Sequence, residues 1–370
     1  MASIKKRGKT YQFTVSHMVN GKSKPIRKGG FRTKKEAQIA AAEIESQLSK
    51  GLLPHLTPVP IDDYFDKWVR LYKTNISVTT RKHYEYTYKA IKEYFGSKPL
   101  QEITRHDYQM FINQFGSSRS KETVEKVNTH NIRACVKDAM DEQIIHRDFT
   151  RNAVITYTVP AKKSEEKHLN YKESEILLKE IWENINKGLG YSLLLLGLTS
   201  GMRFGEMVGL TRKDFDFKKN TIRINKTWGY MKRHPEGFGP TKNEQSVRTI
   251  TMNPTVMAHF KKLFKTMPTN IHQLVFYSPT SRYKVISNTN ANKLLKKTLS
   301  NLGIEPITIH GLRHTHASVL LYKNISIHYV SERLGHGDID TTLREYTHVI
   351  KELREKEEQA TIKIFEKMIG

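Results

Sequence analysis

Thr308-Ile309-His310-Gly311-Leu312-Arg313-His314-Thr315-His316 is the stretch on which the reading of this chain turns. If the segment is helical, His310 and Arg313 stand one turn apart and share a face. That pairing suits a phosphoryl centre, because arginine neutralises developing charge and histidine moves or donates a proton. Upstream, Thr199-Ser200-Gly201-Met202-Arg203-Phe204-Gly205-Glu206 follows an apolar helical run. Gly201 permits a tight turn there and leaves Arg203 at the start of the next helix, where it can fork two hydrogen bonds onto a phosphate. Lys242 falls in the turn between two strand-like stretches, 221–227 and 247–252, and a hairpin tip can reach into a groove.

Downstream, Leu334-Gly335-His336-Gly337-Asp338-Ile339-Asp340-Thr341-Thr342 and Arg344-Glu345-Tyr346-Thr347-His348 set a histidine, His336, ten residues before a tyrosine, Tyr346. None of these segments carries the paired carboxylates that hold magnesium. His310, His314, His316 and His336 also allow a reading as metal ligands. Against it, no HExxH occurs, no cysteine is near, and Arg313 would repel a cation, so neither metal nor cofactor is expected. Each residue taken singly is a common surface or core residue, and only their joint order is specific.

Taken in order, the segments resemble the tyrosine recombinase family, the phage-type integrases. TSGMRFGEMVGL (199–210), HGLRHTHAS (310–318) and LGHGDIDTTLREYTHV (334–349) look like that family's box motifs nearly residue for residue. The resemblance covers about residues 168–350 and implies a mixed α/β catalytic domain. It further implies that Arg203 and Arg313 clamp the scissile phosphate and that Tyr346 is the nucleophile. Lys242 would protonate the leaving 5′ oxygen, with Lys226 and Lys232 as competing candidates. His310 would assist proton transfer and His336 would hydrogen-bond the phosphate. A 3′-phosphotyrosine keeps the energy of the broken bond, so the chemistry needs neither ATP nor metal. A DNA-relaxing topoisomerase with similar chemistry and a catalytically silent DNA-binding regulator are the competing readings.

The charge balance points the same way. The chain has 370 residues with 62 Lys and Arg against 37 Asp and Glu, a net +25 that calls for a polyanion. At 37% hydrophobic residues it has enough apolar surface for packed cores. Its single cysteine, Cys135, excludes an intrachain disulfide. The run Leu193 to Leu198 is far shorter than a membrane span. The expected setting is therefore the bacterial cytoplasm, associated with the nucleoid and free of membrane.

Residues 1–51 are the most basic part, with eleven Lys or Arg before the first acidic residue, Glu36. Tyr11, Phe13 and Val15 alternate, Asn20-Gly21 signals a hairpin, and Thr33 with Glu36 opens a helix carrying Ala37, Ala41, Ile44 and Leu48. This predicts a small sheet under one helix. The resemblance makes it an arm-site DNA-binding domain, with Lys5, Lys6, Arg7, Lys9, Lys22, Lys24, Arg27 and Lys28 as candidate DNA contacts. Three prolines mark a linker at 52–60. Residues 61–159 carry aromatic stripes at helical spacing and predict an all-α unit of four helices, the last through Val124, Val127, Cys135 and Ala139; in the family's layout it binds core-site DNA. Its tyrosines are expected in the core. A linker at 160–168, the catalytic domain at 169–350 and a tail helix at 351–370 complete the layout. In that tail Ile362, Phe365 and Ile369 share a face and Leu353 adds a contact one helix length earlier; the helix is expected to pack in cis or to dock on a neighbouring protomer. The partners implied are double-stranded attachment sites, a homotetramer on synapsed DNA, a host DNA-bending protein and an excisionase.

Overall fold

The computed structural model describes residues 2–19, 22–49, 58–160, 168–231, 236–343, Tyr346 and isolated positions near the end of the chain. Asn20, Gly21, Lys232, Arg344, His348, Leu353 and Ile369 lie outside the described residues, and so does the tail helix as a continuous element. The chain divides into two compact units, 1–161 and 162–370. Among the described residues no helix is long and apolar enough to cross a membrane.

At the start of the first unit, β1 (Ser3–Arg7), β2 (Thr10–Val15) and β5 (Ile26–Phe31) form an antiparallel sheet in the order β1-β2-β5. A short ribbon of β3 (Met18–Val19) and β4 (Lys22–Ser23) extends the β2–β5 hairpin. Helix α1 (Lys34–Ser49) covers one face, and Phe13, Val15, Ala41 and Ile44 are buried there. The capping pair is offset by one residue: Thr33 Oγ1 accepts from Glu36 N–H at 3.1 Å, while Glu36 accepts from Arg32 N–H at 3.1 Å. Cross-strand partners share a face. Lys5 opposite Gln12, Arg7 opposite Thr10 and Arg27 opposite Thr14 therefore stand on the open face. Lys6 opposite Tyr11 and Lys28 opposite Phe13 stand on the face that α1 covers.

The helical part comprises α2 (Ile61–Tyr72), α3 (Val78–Phe95), α4 (Arg105–Gly116), α5 (Lys121–Glu125) and α6 (Arg133–Asp141). Ser77 caps α3, and Thr104 with Asp107 forms a reciprocal capping box on α4. Phe65, Trp68, Ile91, Phe95, Tyr108 and Phe111 are buried in one aromatic core, as the helical stripes predict, but of the tyrosines expected there only Tyr108 is fully buried, and Tyr72 and Tyr86 are exposed. The predicted fourth helix is not one regular helix. A π-helical stretch, Lys126–Ile132, joins α5 to α6. Its wide turns put Asn128 and Asn131 inside, where Asn128 accepts from Tyr108 Oη at 2.8 Å and Asn131 donates to Thr87 Oγ1 at 2.6 Å.

The second unit begins with α7 (Tyr171–Glu183), opened by an Asn170–Glu173 capping box, and α8 (Leu189–Ser200), whose Leu193 to Leu196 are fully buried. After α9 (Phe204–Val208) come β6 (Phe215–Asp216), β7 (Thr221–Ile224), β8 (Thr227–Trp228), β9 (Phe238–Gly239) and β10 (Arg248–Thr251). The sheet order is β10-β7-β6, antiparallel throughout. Helices α10 (Pro254–Thr266), α11 (Asn288–Asn301), α12 (Ile309–Tyr322) and α13 (Ile327–Leu334) follow. Phe260, Leu274, Leu295 and Leu312 join the leucines of α8 in the main core.

Candidate active site

The turn after α8 delivers the first arginine. Gly201 takes φ +67°, a left-handed conformation that a side chain disfavours, and a Cβ there would sit 2.7 Å from the His316 ring. The chain then leaves Arg203 at the N-cap of α9. Glu206 accepts from the Arg203 backbone N–H at 3.0 Å and from its Nη1 at 2.8 Å. Arg203 Nη1 also reaches Ser246 Oγ at 3.2 Å, and Nη2 donates to the Gly335 carbonyl at 3.2 Å.

Glu206 is only 1% exposed and receives a second guanidinium, Arg248, whose Nη2 donates to it at 3.0 Å. Burial works to raise its pKa, but Arg248 and Arg203 outweigh burial and hold the carboxyl below its ordinary range. Arg248 further donates from Nε to the Arg333 carbonyl at 2.7 Å and from Nη1 to the Ser246 carbonyl at 2.8 Å. One buried carboxylate thus ties α9, β10 and the end of α13 around Arg203.

Arg313 lies in α12 at 2% exposure, with Nη1 donating to the Gly201 carbonyl at 2.9 Å. Its Nη2 is buried and has no hydrogen-bond partner among the described residues. Burial first, and then the charge of Arg203, push this guanidinium down to about 9. A buried cation beside another cation, with a donor unmet, is unfavourable in the free protein. An anion held by both arginines removes that penalty.

The histidines divide by environment. His310 opens α12 and is held down to about 4, by removal from water first and then by Arg313, Arg203 and Lys242. His310 is an exposed residue, so the three cations are the firmer cause. His336 follows Gly335, which ends α13 at φ +67°, and its Nδ1 lies 2.6 Å from Thr342 Oγ1. Burial, then Arg313, Arg203 and Arg248, hold it down to about 3. Both imidazoles are accordingly neutral at pH 7. His316 is a core residue: Nδ1 meets the Leu198 carbonyl at 2.9 Å and Nε2 accepts from Arg333 Nε at 3.0 Å. Among the described residues no group of three or more His, Cys, Asp and Glu is placed to hold a metal ion.

Tyr346 is 1% exposed and packs with Ala317, Leu321, Val330 and Leu334. Its hydroxyl lies 3.0 Å from His314 Nδ1.

Lys242 is not at the tip of a simple hairpin. β7 and β10 do pair, but the connection between them throws out a second ribbon, β8 with β9, and Lys242 follows its return strand. Thr227 closes that ribbon by donating to the carbonyls of Gly239 or Pro240, at 3.3 and 3.0 Å. Lys242 is exposed, and its charge is felt at His310. Of its rivals, Lys226 is held by both oxygens of Asp214 at 2.6 Å, and Lys232 lies outside the described residues.

Sequence reasoning assigned no role to Glu206, Ser246, Arg248, Arg333 or Thr342. Only Glu206 carries a local signal, its capping-box spacing from Arg203. Ser246, Arg248 and Arg333 reach partners 43, 42 and 17 residues away, which no local pattern encodes, and Thr342 lies six residues from His336 at a spacing that matches no cap or shared helical face.

The phage integrase family profile matches residues 167–352, preceded by an arm DNA-binding domain over 3–48 and a phage integrase N-terminal SAM-like domain over 61–115. The integrase of Staphylococcus phage L54a is 28% identical over 353 residues, covering 87% of this chain and 98% of that protein. The fold resembles the Tn1549 transposon integrase in complex with a circular intermediate DNA, with a TM-score of 0.64 at 18% identity over 78% of this chain and 95% of that one. It also resembles a lambda integrase tetramer bound to a Holliday junction, with a TM-score of 0.54 at 15% identity over 89% and 92%. A profile spanning half of the sequence, with the two smaller ones before it in order, establishes that the chain belongs to the phage integrase family of tyrosine-type site-specific recombinases.

Proposed function

We propose that the chain integrates a phage or other mobile element, and excises it in reverse, by breaking and rejoining duplex DNA through Tyr346. The phenol oxygen attacks phosphorus, the bond to the 5′ oxygen breaks, and Lys242 gives that oxygen its proton. Arg203 and Arg313 grip the nonbridging oxygens, the imidazole of His336 adds a donor to them, and His310 assists proton transfer. Attack by a 5′ hydroxyl from a second site then frees Tyr346 and seals the exchanged strand.

The observation that carries this reading is the buried Nη2 of Arg313, which has no hydrogen-bond partner among the described residues, beside Arg203. Such a pair is stable with an oxyanion and costly without one. The cationic open face formed by Lys5, Arg7 and Arg27 supports binding of residues 1–51 to a separate arm site, and the net charge of +25 supports many phosphate contacts along the core site. Exchange between two sites requires four active centres, which fits a tetramer like that of the lambda relative. The same reading extends to a host DNA-bending protein and an excisionase as partners, and to a site of action on the bacterial nucleoid.

A core-site duplex nicked near the cleavage point traps the covalent complex for a denaturing gel. The native protein should accumulate the adduct, while Tyr346→Phe should bind the site and form none. Adduct formation by the Phe variant overturns the assignment. A two-site exchange assay separates recombination from simple relaxation of supercoils.

A further inference from the structure

We propose that His314 is a catalytic residue: its Nδ1 takes the proton from Tyr346 as the phenol oxygen bonds to phosphorus. The inference rests on Tyr346 being the nucleophile and names the group that activates it. A phenol of ordinary pKa near 10 is about one part in a thousand phenolate at pH 7, so an unassisted tyrosine is a poor nucleophile. Tyr346 is also 1% exposed, which denies its proton a direct path to bulk water. His314 Nδ1 stands 3.0 Å from the hydroxyl oxygen, within the reach a general base needs.

The mounting of His314 suits the task. It lies on α12 immediately after Arg313, and Arg313, Thr315 and Ala317 are all buried, which fixes the helix under it. Thr315 ties the helix further, donating to the Gly311 carbonyl at 2.9 Å and accepting from Leu169 N–H at 3.0 Å. The His310 ring meets the His314 ring edge to face, with centroids 4.8 Å apart, and limits its rotation. Proton acceptor and phosphate clamp therefore ride on one rigid element.

The step balances. With its own proton on Nε2, His314 accepts from the phenol at Nδ1 and becomes imidazolium. The tyrosine O–P bond forms, the P–O5′ bond breaks, and Lys242 protonates the 5′ oxygen. In rejoining, the imidazolium returns its proton to the departing phenol. Among the described residues Arg313 acts electrostatically on Tyr346, and His310 stands on the adjacent turn of α12. The rival account is a latch in which the same contact merely holds Tyr346 in its pocket.

The test uses the full-length protein on the nicked core site, in single turnover. His314→Gln is the reference variant, because its amide keeps a hydrogen bond and the side-chain bulk but accepts no proton; His314→Ala is the companion. Both should bind the core site normally and form adduct about 100-fold more slowly, within the usual range for general-base catalysis. Replacing Tyr346 with 3,5-difluorotyrosine, a more acidic phenol, should recover at least about tenfold of that loss. A substrate with sulfur in place of the bridging 5′ oxygen should leave the variants slow, since it relieves only the leaving group. Adduct formation by the variants at the native rate or faster establishes the latch and overturns the proposal. Recovery by the sulfur substrate, or none with difluorotyrosine, overturns it equally. Peptide mapping of the native adduct checks the underlying reading separately: attachment at a residue other than Tyr346 refutes that assignment, whatever His314 does.

Discussion

Two tyrosines are buried to the same degree, Tyr108 in the helical unit at 0% exposure and Tyr346 in the catalytic unit at 1%, yet their hydroxyls meet partners of different kinds. Tyr108 sits among Phe111 and Phe149 in a large aromatic core and donates its hydroxyl proton to Asn128 Oδ1 at 2.8 Å. Burial, with Asp148 nearby, pushes its pKa far up. An amide accepts the hydrogen bond but does not take the proton, so Tyr108 stays a phenol. Tyr346 sits in a satellite cluster of four aliphatic side chains and presents its hydroxyl to an imidazole beside Arg313. Burial alone does not distinguish the two; the proton-accepting ability of the partner does, and under the function proposed above it sets Tyr346 apart as the reactive one.

The comparison can be broken or sharpened in four steps of decreasing size. Tyr346→Phe should remove all detectable adduct, as above, because no other atom replaces the lost oxygen. Next, Lys242→Ala should slow cleavage about 10²–10³-fold, and the sulfur-bridged substrate should restore most of it because a thiolate leaves without a proton. An unrescued loss would remove Lys242 from the leaving-group side and reopen the question for Lys232.

Third, Glu206→Gln leaves Arg203 and Arg248 without their buried counter-charge and should destabilise the catalytic unit by about 3–5 kcal/mol at pH 7. The sign with pH follows from the depressed carboxyl: its contribution is complete above the ordinary carboxylate range and is lost as pH falls through the lower folded value. Urea unfolding should therefore show a gap between native and variant proteins at pH 7 that narrows at pH 3. A gap independent of pH would assign the loss to packing. Smallest, Tyr108→Phe leaves the Asn128 acceptor unsatisfied and should cost about 1–3 kcal/mol in the helical unit, read by urea unfolding, with adduct formation unchanged once the protein is folded. A loss of chemistry in that variant would contradict the division between the two tyrosines.

Much of the frame was readable from local pattern. The alternation at Tyr11, Phe13 and Val15, the Thr33–Glu36 pair at the start of α1, the cap at Thr104 and the turn glycine Gly201 are short-range features that act within a few residues. The π-helical stretch was not readable, because its wide turns place Asn128 and Asn131 against Tyr108 and Thr87, 20 and 44 residues away in sequence. The ribbon ahead of Lys242 escaped for the same reason: β8 and β9 are two-residue strands, too short to carry an alternation.

By itself the sequence determined which residue types are present, in what order, and with what charge, and for this chain that was enough to point to the recombinase family and to a candidate phosphoryl site of arginine, histidine and tyrosine. Only the tertiary structure decided which of several alike residues have which surroundings. Lys226 is bound to Asp214 while Lys242 is exposed near His310. His314 and His316 are two residues apart on one helix, hence about 200° around its axis, so one meets Tyr346 and the other meets Leu198 and Arg333. Spacing sets only that the two rings diverge. What each ring meets depends on chain brought in from as far as 118 residues away in sequence, and burial, charge and proton affinity all follow from those partners.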